Sequence, residues 1–152
     1  MSRIYEATFS NTPAAANSTV PIMTITGTAA TRTALREFSQ GSPSTPANSA
    51  SSFLLQRHST APASGSAITP APKDPGDPAS VTTSMQGPSI GAPTTGTSLY
   101  RFPLNQNSTY RWVASDGRGF ICPATANNGI GLYVPVNNGG LYLVDGTWEF
   151  DE

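Results

Sequence analysis

The stretch "GIGLYVPV", residues 129–136, decides the fold. Ile130, Leu132, Val134 and Val136 recur at period 2, the spacing of a strand with one apolar face. The next residues, "NNGG" at 137–140, are a turn signal. After them, "LYLVDGTWEF" at 141–150 places Tyr142, Val144, Trp148 and Phe150 on one face, and Gly146 in that row is expected to mark a bulge.

Working outward, the same period recurs. "RIYEATF" at 3–9 puts Tyr5, Ala7 and Phe9 together. "TVPIMTIT" at 19–26 puts Val20, Ile22 and Thr24 on one face and Met23 and Ile25 on the other, with Pro21 signalling an edge position or a strand start. "TRTALREFS" at 31–39 is ambiguous. Leu35 and Phe38 have helical i,i+3 spacing, but Thr31 and Thr33 favour a strand, which is the preferred reading. "SFLLQRHS" at 52–59 reads as a strand through Phe53 and Leu55. "SLYRFPL" (98–104), "TYRWVAS" (109–115) and "GFICP" (119–123) are short strands, the last two joined by the Asp-Gly turn of "SDGRG". About eight short strands between turn signals predict an all-β chain, an antiparallel sandwich of jelly-roll type, folded as a single domain over 1–152.

Composition agrees. Charged residues are 11% of the chain, against roughly 25% in an average globular protein. Gly and Pro supply 14 residues each, and Ser, Thr and Asn compete with helix for backbone hydrogen bonds. The formal net charge of −1 lacks the basic stripe that nucleic acid requires. Lys73 is the only lysine; the other basic residues are arginines, which favour forked contacts and interfaces. The N-terminus has no apolar secretory segment, and no run reaches the roughly 18 apolar residues of a membrane span. Two glycosylation sequons, at 17–19 and 107–109, are read as chance matches in a Ser/Thr-rich chain.

From Thr60 to Thr97 there is no aromatic residue and no run of large apolar residues. This stretch reads as an extended arm inserted within the sandwich. At its centre, "TPAPKDPGDP" (69–78) carries prolines at 70, 72, 75 and 78. Each fixes φ and biases its predecessor toward extended backbone. Thr69, Pro70, Pro72, Lys73, Asp74, Pro75, Asp77 and Pro78 are therefore the candidate partner contacts, stiffened before any partner arrives. The expected placement is over a neighbouring subunit; a surface loop packed on its own domain is the alternative.

Chemistry finds little support. His58 is the only histidine and Cys122 the only cysteine, so the usual zinc ligand sets are missing and no intrachain disulfide can form. His58 reads as structural. Cys122, in "GFICP", reads as a small buried apolar residue. Asp74 and Asp77 flank a Pro-Gly turn, and Glu149, Asp151 and Glu152 read as a solvated tail rather than paired catalytic carboxylates. Tyr100, Phe102, Tyr110, Trp112, Tyr133 and Trp148 read as core or interface rather than a sugar platform. No catalytic, metal or cofactor site is expected.

Three stretches in order, "MSRIYEATF", "TPAPKDPGDPA" and "GTWEFDE", resemble a family of short structural proteins of tailed phages and prophages. The resemblance implies a capsid decoration or cement protein. It would be a β-sandwich subunit, often trimeric, made in a bacterial host's cytoplasm and bound to the major capsid protein outside the virion shell. A tail or fibre-tip sandwich that binds a carbohydrate or host receptor is the alternative. Decoration predicts Trp112 and Trp148 buried within the sandwich or the oligomer interface; sugar binding predicts at least one exposed beside polar partners.

Overall fold

The computed structural model describes residues 2–13, 20–44, 47–87, 97–115, 118–137 and 142–152, apart from the side chains of 136 and 137. The sequon at 17–19, residues 88–96 of the expected arm, the Asp-Gly turn at 116–117 and most of the "NNGG" turn lie outside these residues.

Among the described residues, twelve strands form two six-stranded antiparallel sheets. The first contains β1 (Ile4–Asn11), β3 (Thr33–Gly41), β6 (Ala71–Pro72), β9 (Tyr110–Val113), β10 (Phe120–Cys122) and β12 (Val144–Asp151). Its order is β10-β3-β12-β1-β6, and β9 also pairs with β3. The second contains β2 (Met23–Thr26), β4 (Ala50–His58), β5 (Ser66–Ile68), β7 (Thr83–Gln86), β8 (Ser98–Asn105) and β11 (Gly129–Asn137), in the order β5-β7-β2-β11-β4-β8. The expected all-β sandwich is present, with more strands than the sequence announces.

Apolar alternation builds the layer between the sheets. Tyr5, Ala7 and Phe9 from β1 meet Trp148 and Phe150 from β12, and Ile25, Ile130, Leu132 and Val134 from the second sheet close the same cluster. Leu35 and Phe38 are both fully buried although three residues apart. A register shift explains this. Glu37 pairs with Glu149 but Leu35 pairs with Phe150, so Arg36 is the extra residue of a bulge. One inserted residue turns i,i+3 spacing into a same-face pair on a strand.

Of the two readings of Pro21, the strand start holds: it stands just before β2, which lies between β7 and β11 and is no edge. Two expectations are corrected. Gly146 is no bulge. It pairs in register with Phe9 and Gln40, and a Cβ there would lie 2.5 Å from the Phe9 ring; the missing side chain is the seat of that ring. Finally, residues 60–87 do not project as an arm. β5 and β7 extend the second sheet and β6 the first. Short strands can join by backbone hydrogen bonds without large side chains, and here buried Thr82 and Ser84 face inward, with the Thr82 hydroxyl 2.6 Å from that of Thr33.

Candidate functional site

The proline-rich stretch folds onto its own sheet, which is the alternative weighed from the sequence. Pro72 pairs with Tyr5 and Ala71 with Glu6. The Lys73 N–H donates to the Ile4 carbonyl at 2.9 Å, and the Tyr5 hydroxyl donates to the Pro78 carbonyl at 3.1 Å. Between them, Asp74-Pro75-Gly76-Asp77 makes a tight turn: the Asp77 N–H donates to the Asp74 carbonyl at 3.0 Å, and the Gly76 N–H to Asp74 Oδ1 at 2.9 Å. This is the Asp-initiated turn chemistry that the residues favour. Asp77 pairs with Arg3 at 3.5 Å. Pro70 is buried and Pro72 and Asp77 are half-buried, while Thr69, Lys73, Asp74, Pro75 and Pro78 are exposed. The result is a fixed strip at the β6 edge with one side open to solvent. Prolines in it also deny that edge the donors a further strand would need.

Lys73 has a second role that the sequence did not announce. On the outer face of the first sheet, Glu6, Glu149 and Glu37 stand directly opposite one another on β1, β12 and β3. Like charges so placed repel. Two cations bracket the row. Lys73 reaches Glu149 and lies 3.7 Å from Glu6, and Arg111 on β9 grips Glu37 with two bonds of 2.5 and 2.9 Å. The Arg111 hydrogen bonds hold the Glu37 carboxyl below its ordinary pKa, and the hydrogen bond to Glu149 raises that of Lys73.

At the other edge lies a cleft lined by Arg32, Arg36, Arg118, Ile121, Asp151 and Glu152. Arg36, on the bulge, pairs with Asp151, which also accepts the Ser2 hydroxyl at 2.8 Å. Glu152 accepts the Thr82 N–H at 2.8 Å and the Ser80 hydroxyl. The terminal acids are thus not a solvated tail: each of Glu149, Asp151 and Glu152 holds another segment in place. Asp74 and Asp77 stand at the two ends of the Pro-Gly turn, Asp74 bonded to the Gly76 N–H and Asp77 paired with Arg3. The arginine cleft was missed from sequence because it depends on strand register, which residue spacing alone does not fix.

The aromatics close the sandwich along β8, β9 and β10. Trp148 is fully buried. Trp112 is half-buried, stacked on Phe120 at 4.6 Å and on Phe38 at 5.4 Å. Across the seam between the sheets, the Tyr100 and Tyr110 hydroxyls lie 2.7 Å apart, and burial pushes the Tyr110 pKa up to about 12. His58 is buried, its Nδ1 3.1 Å from the Thr60 carbonyl, and burial lowers its pKa. Burial raises the Cys122 thiol to about 12. Among the described residues no group of three or more His, Cys, Asp or Glu side chains could hold a metal ion. A broad open trough crosses the outer face of the first sheet, floored by Thr8, Ser10, Ser39 and Thr147 and bordered by Arg111 and Asp145.

No protein-family model, no curated protein and no solved structure matches the chain.

Proposed function

We propose that this chain is a structural virion protein, a jelly-roll-like decoration subunit that binds the outside of a phage shell as a homo-oligomer, a trimer by the resemblance. The observation that carries the reading is the strip 69–78. It is held in one shape by main-chain and side-chain bonds to β1, while Thr69, Asp74, Pro75 and Pro78 face solvent. A contact surface already ordered loses little entropy when a partner binds it. Its proposed partner is the major capsid protein. The placement of the tryptophans also favours this reading, since neither stands exposed as a sugar platform.

The second reading, a tail or fibre-tip module that binds carbohydrate, is favoured by the hydroxyl-floored trough. Co-sedimentation with undecorated shells separates the two. Binding to shells that is weakened by substitutions at Thr69 and Pro78 supports decoration. Binding to a glycan or host surface, with none to shells, supports the second reading.

A further inference from the structure

We propose that opposite edges of the first sheet dock on each other between copies of this chain, head to tail, with the Asp74 turn of one copy seated in the Arg32–Arg118 cleft of the next. The inference rests on reading the chain as a homo-oligomeric structural subunit, and it names the surface that joins the copies.

Register sets the geometry. Phe120, Leu35, Phe150, Tyr5 and Pro72 form one row across β10, β3, β12, β1 and β6. At about 4.8 Å per strand the two edges stand roughly 19 Å apart. Asp74 follows Pro72 and Arg32 precedes Thr33 at the same end of that sheet. One copy cannot bring them together, but two copies side by side can.

Charge then selects the pairing. In the cleft, Arg36 is engaged by Asp151. The guanidinium groups of Arg32 and Arg118 are exposed and have no partner among the described residues. On the opposite edge Asp77 is engaged by Arg3, while Asp74 is exposed and uses only Oδ1, on the Gly76 N–H. An exposed aliphatic residue lies near each of the two charged surfaces. Ile4, 41% exposed, lines the small cleft beside Asp74. Val81, 51% exposed, donates its N–H to Glu152 at the arginine cleft. Exposed ion pairs add little affinity, but they set register and reject wrong partners. The cations of the Asp74 edge, Arg3 and Lys73, are already paired with Asp77, Glu6 and Glu149, so a two-fold contact of that edge with itself offers Asp74 no free cation. Complementary patches on opposite edges instead make a heterologous contact, which closes into a ring where the rotation between copies closes and runs on as a filament where it does not.

The test is the mass of the full chain by light scattering at low salt. The variants are Asp74→Lys, the pair Arg32→Glu with Arg118→Glu, and the three changes combined. Wild type is expected to form a closed oligomer. Each edge variant alone is expected to run at the 15.8 kDa of one chain. A mixture of the two edge variants should assemble again, into species in which the two alternate, since both junctions between unlike variants pair opposite charges and the junctions between like variants do not. The triple variant should restore the wild-type mass. A monomeric wild type overturns the proposal, as do edge variants that keep the wild-type mass. A monomer that instead captures poly-glutamate through Arg32 and Arg118 assigns the cleft to another acidic partner and also overturns it. Salt titration of the wild type needs no substitution: an oligomer unmoved by high salt contradicts charge-selected docking. Shell binding is scored separately. Rings that bind no shell remove the decoration reading and leave this interface standing; monomers that bind shells do the reverse.

Discussion

The Lys73 ammonium reaches across β1 to Glu149 on β12 and lies 3.7 Å from Glu6 on the way. The one lysine of the chain thus ties the proline-rich edge to the centre of the sheet and neutralises part of a glutamate row. Lys73→Met should lower unfolding stability by roughly 0.2–1 kcal/mol, the range for exposed ion pairs. Added salt should shrink the difference. Urea midpoints at two salt concentrations, with Glu149→Gln to complete a double-mutant cycle, read both effects.

Acid should destabilise the fold in two stages. Burial holds the folded-state pKa of His58 below its ordinary 6.5. Its contribution is therefore complete above 6.5 and lost as pH falls from there through the folded pKa. Glu37 is held below its ordinary 4.5 by Arg111. Its contribution is complete above 4.5 and lost as pH falls through its own lower folded value. Unfolding free energy measured against pH should show both limbs, and His58→Gln should flatten the upper one alone. An unchanged upper limb in that variant would remove His58 from the account.

Gly146→Ala should cost about 1–3 kcal/mol, the usual range for overpacking. The new methyl would lie 2.5 Å from the Phe9 ring and 2.7 Å from the Ser39 carbonyl oxygen. A thermal scan with no loss of stability would mean that Phe9 is not fixed beneath this position.

Cys122 should resist thiol reagents in the native state and react after unfolding. It is fully buried and its thiol is pushed up to about 12, so almost no thiolate forms near neutral pH. Rapid native labelling would contradict the packing of β10 on β3.

The sandwich was legible because most strands carry their own apolar period, as Ile130, Leu132 and Val134 do. Its details were not, for reasons that particular residues show. Leu35 and Phe38 mimic a helix because a bulge at Arg36 hides between them. β5, β6 and β7 carry almost no large side chains, since their pairing uses backbone groups that every residue type but proline supplies in full. The contact strip was legible as stiff and extended, from its prolines. Its seat on β1, the glutamate row and the arginine cleft were not, because each needs a register between strands distant in sequence.

The strip's proposed role has one direct measurement. Deleting 69–78 would also remove β6 and the bonds to Ile4 and Tyr5, so point changes on its open side are the better probe. Wild-type protein and the double variant Thr69→Arg with Pro78→Arg, both positions outside the Asp74 turn, are co-sedimented with undecorated shells across a concentration series. Wild type should saturate the shells, and the double variant, still folded by circular dichroism, should need at least about tenfold more protein, a loss of roughly 1.4 kcal/mol. Equal occupancy at every concentration, or no binding by the wild type, would contradict the account.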